Sequence, residues 1–254
     1  MIIFVLIMIL FFLLGVIGDE RGVASAFTVL GNMAVFFLSL YMIYRTGHIA
    51  VVTVCAMMGF LLLTLFAQNG INVKTVSAFY GIVVVLIIVG IFSMILMNIS
   101  SLAGHGELYI YDEEVAFLES EIGFSAGSLM VSSVLIGILG AITDTALSVS
   151  SAMYEVLSHN PEMTRRELEK SGFSVGWDIL GTTFSTLVFA EIGQGFFLWL
   201  IFARNKYDVI ELLNSKSFLQ QTFLIVIASL GCLIIIPLTA KISAKILKNK
   251  IVRK

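Results

Sequence analysis

The sequence predicts an all-α membrane protein, a polytopic bundle of about seven transmembrane helices. Three observations predict it. Hydrophobic residues fill 59% of the 254 positions and charged residues only 13%, about half of the ~25% carried by a soluble domain. The mean hydropathy is +1.03. The apolar residues are gathered into runs near the ~20 residues that a helix needs to cross a bilayer. So few charges cannot coat a water-facing surface. A lipid solvent removes the conflict, provided that every backbone polar group is satisfied inside a helix.

The runs fall at about 1–18, 25–44, 48–67, 76–98, 127–151, 179–203 and 221–244. The first has no positive region before it and no A-x-A cleavage site, so it is read as a span and not a signal peptide. Asp19-Glu20-Arg21-Gly22 separates the first two runs, Arg45-Thr46-Gly47-His48 the next, and Asn69-Gly70 with Lys74 the third pair. Longer connections occupy 99–126, 152–178 and 204–220. Three regions follow: a four-span membrane region at 1–98, an acidic extracytoplasmic connection at 99–126, and a three-span core with a cytoplasmic loop and basic tail at 127–254.

Lys and Arg orient the chain. With seven spans and a cytoplasmic C-terminus, the inner segments hold Arg21, Lys74, Arg165, Arg166, Lys170 and six residues between Lys241 and Lys254. The outer segments hold only Arg45, Arg204, Lys206 and Lys216. The expected protein is therefore a multi-pass protein of the cell membrane with its N-terminus outside. The lipid bilayer is its first partner. No basic surface interleaved with aromatics appears, which excludes nucleic acid as a partner. Cys55 and Cys232 both lie in apolar runs, without metal-ligand or disulfide spacing, and are expected to be buried small residues.

The connection 99–126 carries Glu107, Asp112, Glu113, Glu114, Glu119 and Glu121 without Lys or Arg. Asp112 is placed to cap a short amphipathic helix with Val115, Leu118 and Ile122 on one side. His105 with these acids lacks the spacing of a metal site, and no metal or cofactor is expected. In the next connection Pro161 ends the fifth helix. Thr164 and Glu167 have capping-box spacing, and Phe173, Val175 and Trp177 return the chain to the interface. His159 is expected at the surface.

Charges inside spans are expensive, so each one calls for a reason. Asp144, Ser148, Ser151 and Glu155 follow one another at steps of four, three and four, which places them on one helical face. Gly137, Gly140 and Ala141 continue that face with little bulk. Small residues let helices approach closely in lipid and hydroxyls bond across the contact. The expectation is a polar seam turned toward protein, in which a buried Asp144 handles a proton or ion. Glu155 falls at the cytoplasmic interface. In the sixth span Thr182, Thr183, Ser185 and Thr186 are expected near the depth of Asp144, with Glu191 further outward among Gly193, Gln194 and Gly195. Pro237 marks a tolerated kink in the seventh span, and Lys241 and Lys245 reach for the inner headgroups.

The stretch Gly137–Glu155 resembles the signature helix of the YibE/YibF-like membrane protein family, roughly G-x-L-G-x-x-x-D-x-x-x-S-x-x-S-x-x-x-E. Gly137, Gly140, Asp144, Ser148, Ser151 and Glu155 match position by position. Asp178 to Thr186, Glu211-Leu212-Leu213-Asn214, Leu230-Gly231 and Ile236-Pro237-Leu238 also fit. The resemblance covers about 100–247, and the first hundred residues share only hydrophobic character. The family usually has Asn-Thr-Leu in the sixth span; this chain has Ser185-Thr186-Leu187, and Glu191 where an aromatic is usual. More distantly, Gly123-Phe124-Ser125 before a span that carries Asp is similar to SecD/SecF export-motor subunits of the RND superfamily. That similarity implies RND/SecF-like packing in the C-terminal half, with Asp144 coupled to proton-motive force. It also implies a paired architecture, in which a YibE-like partner or a second copy supplies the missing half. No substrate follows from it.

Two functions are weighed. The first is a proton-coupled transport or export subunit, with Asp144, Glu191 and Glu155 handling protons and Gly137, Gly140, Ser148, Ser151, Thr183, Ser185 and Thr186 forming the seam and lining. The second is a non-transporting scaffold that stabilises a partner complex, with Asp144 serving as helix–helix glue. An intramembrane hydrolase built on Asp144 and Glu191 lacks a nucleophile, a metal cluster and a paired-acid motif, and the chain is not read as an enzyme.

Overall fold

The computed structural model describes residues 2–100 and 125–251. The acidic connection, with His105, the acids 107–121 and the helix expected after Asp112, lies outside the described residues. Among them the chain is all-helical, with no strand. In order the elements are α1 (Ile2–Thr46), α2 (Ile49–Leu61) continued by a π-helical segment (Leu62–Ala67), α3 (Val73–Ser100), α4 (Ala126–His159), α5 (Arg165–Gln194), α6 (Phe196–Arg204), α7 (Val209–Asn214) and α8 (Lys216–Ile251).

Among the described residues five stretches are long and apolar enough to cross a membrane: Ile49–Ala67, Val73–Ile99, Gly127–His159, Arg165–Gln194 and Lys216–Asn249. Not among the five are the two segments expected at 1–18 and 25–44, which form the two halves of α1. That helix is broken at Asp19, whose φ of 49° and ψ of −141° leave the helical region. The chain turns so sharply there that a side chain at Gly22 would collide with the Leu14 carbonyl. This break coincides with the charged Asp19–Arg21 cluster.

Three sequence boundaries move. The expected connection 152–178 is mostly helix: α4 runs on to His159, a short turn carries Pro161, and α5 starts at Arg165. Thr164 and Glu167 do form the capping box there, each side chain bonding the other's backbone N–H. The charged stretch and the apolar span are thus one continuous helix, because no Gly-Pro break separates Lys170 from Leu180. The expected sixth span is divided at Gly195, between α5 and α6. The last helix begins at Lys216 and passes through Pro237 unbroken.

The core is organised around α8, which packs against α3, α4 and α5. Its Phe223, Ile227, Cys232, Ile235 and Ile236 recur at helical spacing and are buried with Ile82, Val85 and Val89 of α3 and with Ile138 and Ile142 of α4. Small residues set the separations. A Cβ at Gly81 of α3 would lie 2.7 Å from Thr239 Oγ1 and 3.3 Å from its Cα, so these backbones are close. On α5, Gly172 and Gly176 receive Met153 and Ile236. Hydroxyls add cross-links in the interior: Ser77 of α3 and Ser150 of α4 share a hydrogen bond, and Thr53 Oγ1 donates to Ser132 Oγ at 2.9 Å. The many exposed Phe, Leu, Ile and Met side chains, Phe4, Phe12 and Ile17 among them, suit a bilayer and not water. Cys232 is buried as expected, but Cys55 is exposed, because it lies on the side of α2 turned away from the bundle.

Candidate functional site

The face expected to carry chemistry is built on α4. Its inward side is apolar throughout: Val131, Leu135, Ile138, Ile142, Ala146, Val149, Met153 and Leu157 are all buried. The opposite side holds Ser133, Gly137, Gly140, Asp144, Ser148 and Glu155, all exposed, with Ser151 half-buried. The periodicity was legible in the sequence, and the residues do share one face. The direction of that face differs from the expectation. It does not form a seam inside this chain, and Asp144 is not buried. The apolar side of α4 is taken up by α3, α5 and α8, which leaves the small and polar side outward. Apolar in and polar out is the pattern of a helix whose outer face meets water or protein, and lipid is a poor neighbour for it.

Helix α5 borders this face at its Gly137 end. Glu191 is half-buried, and a Cβ at Gly137 would lie 4.0 Å from its Oε1. Its backbone carbonyl accepts from Gln221 Nε2 of α8 at 2.8 Å, which fixes the end of α5 where the carboxyl group projects. Glu191 therefore stands two helical turns from Asp144, about 10 Å along the axis, and the two carboxyls do not form a pair. The antiparallel contacts of α4 with α5, Gly137 near Glu191 and Gly172 near Met153, bring Thr183 to the level of Asp144. Thr183 is half-buried, whereas Ser185 and Thr186 are exposed and turn away from the bundle. Pro237 is half-buried on α8, away from the outward face of α4.

The neighbours of Asp144 that the sequence did not suggest come from the N-terminal half. A cavity of about 230 Å³ is lined by Asn32 of α1, Phe60, Leu61 and Thr64 of the α2–π segment, and Gly140, Thr143 and Asp144 of α4. Asn32 Nδ2 donates to Thr64 Oγ1 at 3.2 Å, while Asn32 Oδ1 is buried without a partner. Thr64 lies within the π turn, whose carbonyl accepts from Asn69 Nδ2 at 2.9 Å. Asp144 has no hydrogen-bond or ion-pair partner among the described residues. The one available signal was a lone amide, Asn32, inside an apolar run. The π turn that presents Thr64 leaves no trace in the sequence.

A larger cavity of about 380 Å³ between α2, α3 and α4 is lined mainly by apolar side chains, among them Met57, Leu86, Ile91, Met94 and Leu135. It holds no acid, and its polar lining is limited to the hydroxyls of Thr53, Ser128 and Ser132. No group of three or more His, Cys, Asp or Glu that could hold a metal is found among the described residues.

A family model described as YibE/F-like protein matches residues 6–249. The chain belongs to the YibE/F-like family. The match extends through α1, α2 and α3 as well as the C-terminal helices, so membership is carried by nearly the whole chain and not only by the Gly137–Glu155 pattern. No curated protein and no solved structure matches this YibE/F-like chain. In this family member the outward face of α4, flanked by Glu191 at one end and by the Asn32–Thr64 cavity beside Asp144, is the candidate functional site.

Proposed function

We propose that this YibE/F-like protein is a transport or export subunit of the cell membrane, coupled to proton movement through Asp144. The observation that carries the proposal is the position of Asp144, unpartnered on an outward stripe of small and polar residues. A carboxyl group at membrane depth is unfavourable against acyl chains, so the stripe calls for cover. We infer that a YibE-like partner or a second copy supplies it, and that Asp144 becomes enclosed only in that assembly. Taking up a proton then removes the cost of burying the charge and biases two packings of the joined helices. Glu191 borders the same path, and Glu155 and Ser148 lie further along it. The analogy with SecD and SecF motors supports this mechanism class and RND-like packing in the C-terminal half. In this proposal both halves of α1 cross the bilayer, which gives seven spans, and the excess of Lys and Arg places the C-terminus in the cytoplasm.

Proton flux into reconstituted vesicles, followed with a pH-sensitive dye for wild type and Asp144→Asn, tests the coupling. Loss of flux with intact insertion and assembly is expected. Undiminished flux in Asp144→Asn refutes it.

The same stripe also favours a second reading, a scaffold in which Asp144 only bonds a partner helix. Asn preserves such a bond and Leu does not, so a scaffold predicts that Asp144→Asn retains co-purification and every flux, while Asp144→Leu loses the complex.

A further inference from the structure

We propose that the cavity between α1, the π segment and α4 binds a monovalent hard cation, held by Asp144, Asn32 and Thr64. The proposal rests on reading Asp144 as an ion-handling group, and it adds the chemistry of the ion and two ligands from outside the α4–α5 pair.

Every polar side chain on the wall of this cavity offers oxygen: Asp144, Thr143, Asn32 and Thr64. The hydroxyl of Thr143 donates to the Leu139 carbonyl at 2.6 Å, so its remaining capacity is as an acceptor. Thr64 Oγ1 accepts from Asn32 Nδ2. That bond sets the amide and leaves Asn32 Oδ1 buried with nothing to accept from. An unpaired buried acceptor is unfavourable, and a cation supplies the missing partner. No Lys, Arg or His lines the cavity, so the Asp144 carboxylate has no internal counter-charge there.

The ligand chemistry selects the ion. One carboxylate among neutral oxygens balances a single positive charge, whereas Ca²⁺ takes six to eight oxygens, several of them from carboxylates. Without imidazole or thiolate the site does not suit zinc or copper. A volume of about 230 Å³ accommodates an alkali ion with several waters, each needing ~30 Å³. The π turn aids the site by offsetting Thr64 from regular helical register, as such turns often do at functional positions, and Asn69 pins it through the Thr64 carbonyl.

The test is equilibrium binding of radioactive sodium to the full chain in lipid nanodiscs, at constant ionic strength with choline as the inert cation. Saturable binding in the millimolar range, displaced by unlabelled sodium and not by choline, is expected. Asn32→Ala and Thr64→Val should weaken it at least about tenfold, as loss of metal-site partners commonly does. Thr64→Ser, which keeps the oxygen, should retain binding and guards against a folding defect in the valine variant. Ser229→Ala on α8, outside the cavity and bonded only to the Ile225 carbonyl of its own helix, should bind as wild type does. Absence of saturable binding in the wild type overturns the proposal, as does unchanged binding in Asn32→Ala. Proton flux in wild type and Asp144→Asn is measured separately. Its loss without sodium binding leaves the proton reading standing and overturns this one, and sodium binding with unaltered flux in Asp144→Asn does the reverse.

Discussion

Ser77 of α3 and Ser150 of α4 share a hydrogen bond in the bundle interior, and both hydroxyls also reach the Lys74 carbonyl, at 2.9 and 2.8 Å. Both serines are fully buried, so neither can exchange its partner for water. Ser150→Ala should therefore lower stability by roughly 0.6–1.7 kcal/mol, the range for hydrogen bonds between membrane helices. Unfolding in mixed micelles measures it. No change in the midpoint would mean that the bond contributes nothing.

The contact of Gly81 with Thr239 predicts an asymmetry between glycines. Gly81→Ala places a methyl against Thr239 Oγ1 and Cα and should cost about 1–3 kcal/mol, as overpacking does. Gly140→Ala meets nothing within 4 Å and should leave the thermal midpoint of the isolated chain unchanged. Equal effects of the two would show that the α3–α8 crossing is not close-packed.

Lys248 of α8 donates to the carbonyls of Pro161 and Met163, at 3.0 and 2.7 Å, and so ties the last helix to the α4–α5 turn. Lys248→Ala should free that turn, and Thr164→Ala should remove the N-cap of α5 at a cost of ~1 kcal/mol. Limited proteolysis is expected to cut near Asn160–Thr164 faster in both variants. If the proteins are presented in sealed vesicles, cleavage from the cytoplasmic face alone also tests the proposed orientation.

The two cysteines should differ in reactivity. Cys232 is buried in the core, where the surrounding side chains keep an alkylating reagent from its sulfur. A membrane-permeant maleimide should label Cys55 and spare Cys232 until denaturant is added, as mass spectrometry of the labelled protein would show. Rapid labelling of Cys232 in the folded protein would contradict the packing of α8.

Much of this architecture was legible because lipid simplifies the code. Runs of apolar residues located the long helices but neither the short α7 nor the division of α5 from α6, and the Thr164–Glu167 pair marked the start of α5 to the residue. The steps between Gly137 and Glu155 identified their common face. Periodicity cannot say which side of a helix its neighbours occupy, however. The choice was made by Ile138, Ile142, Ala146 and Met153, whose apolar stripe on the other side of α4 fits α3, α5 and α8. The reading of the small residues as an internal seam gave too little weight to that stripe. Asn32 and Thr64 went unnoticed because their approach to Asp144 depends on tertiary packing and on a π turn, neither of which follows a local pattern. Cys55 was misplaced for the related reason that in lipid an outward side chain need not be polar.

The central place of α8 has a bearing on how this molecule is made. Synthesis proceeds from the N-terminus, so α3, α4 and α5 are all produced before the helix that unites them. Until Lys216–Ile251 arrives, the α3–α5 segments have inserted but lack their shared neighbour, with Ile82, Ile138 and Gly176 facing no final partner. A nonsense mutation before Lys216 should thus leave not a smaller working protein but a set of loosely associated helices exposed to membrane quality-control proteases.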